Sequence, residues 1–419
     1  MDDQQGPDQR PENESPQVAI NDDGQGNITG RGDGGPNWLG WKNFNWRALS
    51  WAALAVVAIA VVVALSGVQR PVRAPAPTPA KAPGTSFFGQ RPSFDVIAFY
   101  IPGKTPPSGS FESFKAAAGH IDYVEPLWFS AYPDGSIKGL PEKSVLDVAR
   151  KSGIKVIPIV NNATVGGGER EQRKANDQFL HNPKTRAKAI STLVGMVDRY
   201  KLDGINVDFQ LIDPTARQDL TAFVRELAAQ LHPKRKEVHM DVIPPAGVSA
   251  ALNGAYDYKS LAKYSDRIIL MTYDQHAGKG TPPGPVASTP WVDKNLKTAM
   301  KYIPRNKISL GMASYGYDWP RAKTAGEVKE LSSHEAVRTA QRFGAPIKRN
   351  ADQVPHFTYT SAGVTREAWW EDHVSATRKL DVALNNKVRG IAVWRLGYEN
   401  AQFWPAISSK LGRTPRRTR

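Results

Sequence analysis

Residues 202 to 210 read LDGINVDFQ, and Asn206, Asp208 and Gln210 stand in this stretch at i, i+2 and i+4. In an extended chain that spacing puts all three side chains on one face. Ile205, Val207 and Phe209 alternate with them as apolar residues, as in a buried strand. A row of three polar groups there must either satisfy itself in an internal hydrogen-bond ladder or turn toward a ligand. The last residue decides the chemistry. A carboxylic acid could give a proton to a leaving oxygen, whereas the carboxamide of Gln210 donates a hydrogen bond but has no proton to lose at useful pH. Binding can survive that difference, but general acid catalysis, typically worth about 10² to 10⁴ in rate, cannot.

Few other groups could supply the proton. Asp213, in LIDPTARQ, precedes a proline at a helix start and reads as an N-cap. Asp274, ending RIILMTYD, and Glu399, in WRLGYEN, could donate through water. His276 in YDQHAG could act as an acid or simply bind its own loop, and His239 begins the inner part of VHMDVIPP, either packed or partly exposed. No histidine pair stands at ligand spacing beside a carboxylate and the chain has no cysteine, so no metal, cofactor or disulfide is expected.

These residues need a frame, and the chain from Phe94 onward supplies one. Short apolar runs alternate with helical patterns: FDVIAFY from 94, IDYVEPLWF from 121, IKVIPIV from 154, LDGINVDFQ from 202, VHMDVIPP from 238, RIILMTYD from 267, ISLGMASYGY from 308 and GIAVWRLG from 390. RAKAISTLVGMVDRY and ARQDLTAFVRELAAQL are helices between them. Eight such units predict an α/β fold, a (β/α)8 TIM barrel over residues 92–412, with active groups at the C-terminal strand ends. A small α+β insertion is expected at about 321–370, where HEAVRTAQRFG reads as a helix and PHFTYTSAG as part of a hairpin.

LDGINVDFQ resembles the D-G-x-x-x-D-x-E signature of glycoside hydrolase family 18, the chitinase-like barrels. LMTYD at 270–274 is similar to the sixth-strand M-x-Y-D of that family. ASYGYDW at 313–319, VWRLG at 393–397 and EAWWEDHVSATRKL resemble its later segments. The likeness is strongest to the spore-germination and cell-wall lysin branch and to modules fused to polysaccharide deacetylases and synthases. It implies a glycan containing N-acetylglucosamine, with a polysaccharide synthase or deacetylase as partner. It also implies roles by position: Asp208 orients the substrate acetamide, Tyr273 hydrogen-bonds its oxygen, Trp394 forms the floor under the sugar, Asp274 contacts the sugar, and Gln210 occupies the place of the acid. Asn206, Tyr100 and Trp128 are candidate substrate contacts, because aromatic rings at strand ends can stack on pyranose faces. Phe129 and Trp319 lie at similar positions, where core packing is the competing role. Three functions stay open: a glycan binder with lost or reduced turnover, an active hydrolase using a substitute acid, and a scaffold in a polysaccharide or cell-wall complex.

The N-terminal region differs in kind. Residues 1–47 carry eight acidic and four basic side chains and few aliphatics, so a disordered tail is expected. Residues 48–68, ALSWAALAVVAIAVVVALSGV, hold no charge over 21 positions. As a helix they would span roughly 30 Å, enough for a membrane anchor, with a cleaved signal peptide as the alternative. Residues 69–91 form a Pro/Ala-rich spacer. Flanking charge does not fix orientation, and the function places the barrel on the extracytoplasmic side of the cell membrane. The overall charge of +15 leaves +19 outside the acidic tail. No nucleic-acid-binding spacing accompanies that charge, so no nucleic acid is expected as partner, and the basic end at 413–419 reads as solvated.

Overall fold

The computed structural model describes residues 94–103, 110–322 and 326–416. The expected tail, anchor and spacer lie outside these residues. Among the described residues no helix is long and apolar enough to cross a membrane.

Eight parallel strands close into a barrel. In chain order they are Asp95–Tyr100, Tyr123–Ala131, Ile159–Asn162 (preceded by the short Lys155–Val156), Gly204–Asp208, Glu237–Val242, Arg267–Leu270, Ile308–Ala313 and Gly390–Trp394. Each pairs with its sequence neighbours, and the first strand pairs with both the second and the eighth, so no edge remains. Each of the eight runs expected from the sequence contains one of these barrel strands.

The alternation of the fourth strand is locked from outside. Ile205, Val207 and Phe209 belong to the apolar layer between barrel and helices. The Phe209 ring meets Phe179 at 5.6 Å and Phe223 at 5.1 Å between centroids. Phe223 lies on the helix Arg217–Leu231, whose buried stripe Leu220, Phe223, Val224, Leu227 and Leu231 has helical spacing. With the odd residues fixed outward, Asn206, Asp208 and Gln210 must point into the barrel. The strand opens with Gly204, where a Cβ would lie 2.1 Å from the Glu237 carbonyl oxygen, so only glycine lets the fifth strand approach.

The insertion begins earlier than its sequence suggests. The seventh barrel strand stops at Ala313, and Tyr315–Pro320 opens a separate antiparallel sheet with Lys329–Ser332, Val364–Trp370, Pro355–Ser361 and Lys348–Arg349. ISLGMASYGY is therefore two strands. Ser314 marks the break, its amide donating to the Trp394 carbonyl at 2.8 Å and its hydroxyl to the Arg395 carbonyl at 2.6 Å. A continuous β-prone run hides that change of sheet. The insertion helix Ser333–Arg342 carries a capping box of Ser332 and Glu335.

Within the basic end, Arg413 and Arg416 are bonded to the barrel. Arg413 bonds Asp122 at 2.8 Å, and Arg416 bonds the same carboxylate. Asp122 is the acceptor because its Oδ2 already receives the Val96 amide at 2.9 Å, which holds it at the foot of the first strand.

Candidate active site

At the mouth of the fourth strand, Gln210 Nε2 donates to Asp208 Oδ1 at 2.8 Å. The Gln210 backbone is fixed as well: its amide donates to Asn162 Oδ1 at 2.8 Å, and its carbonyl accepts from Asn176 at 3.0 Å. Burial raises the Asp208 carboxyl to about 6, while the hydrogen bond from Gln210 works in the opposite direction.

Tyr273 and Asp274 follow the sixth strand. The Tyr273 phenol is raised well above its ordinary value by burial and then by Asp241 and Asp208, so the ring stands near both carboxyls. A Cβ on Gly311 would sit 2.4 Å from the Leu270 carbonyl oxygen and 3.1 Å from Tyr273 Cε1, so glycine there lets the sixth strand approach and leaves room for the ring. Asp274 accepts from Tyr315 at 2.5 Å and Tyr317 at 3.2 Å. Burial raises it to about 6 in spite of those two bonds. Half-buried Trp394 ends the eighth strand with its ring 5.3 Å from that of Phe99. Tyr273 and Trp394 pack against one aromatic group, Tyr315, Tyr317, Trp319 and Tyr398, which joins the barrel mouth to the inserted sheet. Asp208, Gln210, Tyr273, Asp274 and Trp394 thus come to one end of the barrel.

The structure buries three of the expected contacts. Tyr100 is 1% exposed and belongs to the outer layer with Val96 and Ala98; its ring meets Phe114, and its hydroxyl donates to Glu142 at 2.6 Å. The inward residue is Phe99, one position earlier, because side chains alternate and the first strand has opposite parity to the expectation. Trp128 is buried in the core where the register of the second strand slips between Leu127 and Phe129. A bulge of this kind re-aims side chains in a way no alternation rule anticipates. Asn206 is fully buried, and its carboxamide nitrogen donates to Glu125 at 2.7 Å and Asp241 at 3.0 Å, so both its protons serve the interior ladder, while its Oδ1 has no hydrogen-bond partner among the described residues. Phe129 and Trp319 are likewise core residues, with Trp319 Nε1 donating to the Gly278 carbonyl at 3.0 Å.

The substitute donors also sort themselves. Asp213 caps Pro214–Ala216, accepting from the Thr215 amide at 2.9 Å. Glu399 is engaged by Ser113, by Trp404 Nε1 at 2.7 Å and by the Gly397 amide at 2.7 Å, so both oxygens brace the turn after the eighth strand. His276 bonds the Pro282 carbonyl at 3.0 Å within its loop. Asp274 is left as the raised carboxyl beside the mouth. Among the described residues no cluster of His, Asp or Glu could hold a metal ion.

Sequence reasoning missed two acids. Glu125 and Asp241 are buried inside the barrel, joined through Asn206. The i, i+2 spacing of His239 and Asp241, and an acid in the middle of YVEPLWF, were the available signals.

Comparison with known proteins agrees with this geometry. Residues 145–399 match the profile described as Glycosyl hydrolases family 18. The Cortical fragment-lytic enzyme of Bacillus subtilis is 26% identical over 311 residues, covering 71% of this chain and 70% of that protein. The Putative sporulation-specific glycosylase YdhD of the same organism is 25% identical, covering 77% of this chain and 79% of that one. Among solved structures, the Bacillus cereus spore cortex-lytic enzyme SleL superposes with a TM-score of 0.70 at 25% identity, covering 78% of this chain and 76% of its own.

Proposed function

The chain belongs to the glycosyl hydrolases of family 18, and on that premise we propose that its barrel mouth binds a glycan containing N-acetylglucosamine while turning it over slowly or not at all. One observation carries the reading: a carboxamide stands beside Asp208, donating to it at 2.8 Å, where the family reaction needs an acid. Asp208 and Tyr273 would hold the acetamide, and Trp394 would support the ring. Without a proton for the glycosidic oxygen, the complex forms but the bond is not readily broken. The lytic relatives support peptidoglycan, or an exported polysaccharide of the same sugar, as the glycan. The test is binding of chitooligosaccharides and peptidoglycan fragments to the purified protein, with cleavage measured in wild type and Gln210→Glu. No binding at millimolar concentration would remove the reading.

A second reading is a working hydrolase that draws its proton from Asp274. The carboxyl of Asp274, raised to about 6 by burial, is what favours it. Cleavage by wild type that disappears in Asp274→Asn and is not increased by Gln210→Glu would select this alternative.

Residues 48–68 are proposed to anchor the chain in the cell membrane, with the barrel on the extracytoplasmic side beyond the Pro/Ala spacer. The support is 21 consecutive uncharged positions. Extraction from membranes by alkaline carbonate would contradict it, as would a barrel protected from protease added to intact cells.

A further inference from the structure

A column of polar groups runs along the inside of the barrel, from Lys155 near the strand starts toward Asp208 at the mouth. Lys155 Nζ bonds Glu237 at 2.5 Å, and Glu237 lies 3.1 Å from His239 Nε2. His239 Nδ1 lies 2.6 Å from Glu125, and Asn206 gives its two amide protons to Glu125 at 2.7 Å and Asp241 at 3.0 Å. His239, Glu125, Asn206 and Asp241 are each at most 3% exposed.

We infer that Asp241 is a positioning residue for Asp208: reaching in from the fifth strand, it fixes the Asn206 carboxamide beneath the mouth and leaves Asp208 as the carboxyl of this cluster that takes the charge when a sugar acetamide docks. The inference deepens the proposed function and rests on it for the sugar alone.

The electrostatics follow from the arrangement. Glu125, Asp241 and Asp208 share a dry interior where like charges cannot all be carried cheaply. Glu125 has a partner in which it favours the cationic form: burial alone would lower His239, and Glu125 and Glu237 outweigh burial and raise it. Among the described residues no cationic side chain pairs with Asp241. The groups that face it are Asp208, Glu125, Asn206 and the phenols of Tyr256 and Tyr273. It is pushed well above the carboxylate range by burial, then by Asp208 and Glu125, with the Asn206 bond opposing. The fourth and fifth strands run parallel with Val207 beside Met240, so the next inward residues, Asp208 and Asp241, stand side by side. Each takes one carboxamide donor, from Gln210 and from Asn206, but Asp208 lies at the mouth and Asp241 lies deeper beside Glu125, so the charge falls to Asp208. In two coupled acids the order of proton loss belongs to the pair, so removing either changes the titration of the other.

The experiment is an NMR titration of the full-length chain with ¹³C-labelled aspartate side chains, comparing wild type, Asp241→Asn and Asp208→Asn. In wild type the Asp208 carboxyl signal should move in two linked steps, and in Asp241→Asn in one. In Asp208→Asn the Asp241 step should fall by about one pH unit or more. The two variants report one coupling reciprocally, so either decides the matter if the other fails to fold. A side chain with a merely structural role would leave these curves unchanged, and unchanged curves overturn the inference. Adding chitotetraose to wild type should then lower the Asp208 step while Asp241 keeps its proton; Asp241 losing its proton instead would also overturn it. Absence of any glycan response would count against the proposed function, and the coupling would stand or fall on the titration without glycan.

Discussion

Gln210 Nε2 donates to Asp208 Oδ1 at 2.8 Å, so the two residues that end the inward row of the fourth strand are tied to each other. Replacing Gln210 by Glu puts a second carboxyl against Asp208, and like charges at that distance keep one proton between them at neutral pH. Gln210→Glu should raise cleavage of chitooligosaccharides by about 10² or more, the scale of general acid catalysis. Product analysis by mass spectrometry reads this directly, and equal rates in both proteins would mean that the missing acid is not what limits turnover.

Asp208 is raised to about 6 from an ordinary 3.8. The folded protein therefore holds a proton that the unfolded chain has lost between those values, and stability falls as pH rises through that window. Asp208→Asn removes the cost of the buried charge. It should stabilise the fold by one to a few kcal/mol at about pH 7.5 and have little effect at about pH 4, on the scale of roughly 1.4 kcal/mol per pKa unit. Thermal melts at the two pH values check the sign. The same variant should lose glycan affinity, a trade of stability against binding.

The parity of the first strand separates Tyr100 from its neighbour. Tyr100→Phe should leave glycan affinity unchanged and cost about 1 kcal/mol, the worth of its bond to Glu142. Trp394→Ala should lower affinity roughly tenfold or more by deleting the exposed part of an aromatic platform. Calorimetric titration with chitotetraose compares them, and a larger loss from the Tyr100 variant would reverse the assignment of faces.

Asp122 gathers Arg413, Arg416 and the Val96 amide. Arg416→Ala should cost less than about 1 kcal/mol, because that side chain is 45% exposed and screened by solvent. Asp122→Ala should cost more, about 1 to 3 kcal/mol, because a strand amide loses its acceptor. Urea denaturation of the two variants gives the order.

LDGINVDFQ by itself determined a strand with Asn206, Asp208 and Gln210 on one face, because period-two alternation is local geometry. The eight β-branched runs and their intervening helices likewise determined the barrel, since short buried strands and amphipathic helices have few ways to bury both surfaces. That the row ends in a carboxamide was legible too, as Gln210 is a chemical identity and needs no coordinates. The sequence could not say which face of the first strand turns inward, and Phe99 replaced Tyr100. It could not place the register slip at Trp128 or the break at Ser314, because each depends on a partner strand far away in the chain. It also left Asn206 undecided between ladder and ligand. The tertiary structure gave its two amide protons their partners, Glu125 and Asp241, two acids from other strands that come together only when the barrel closes.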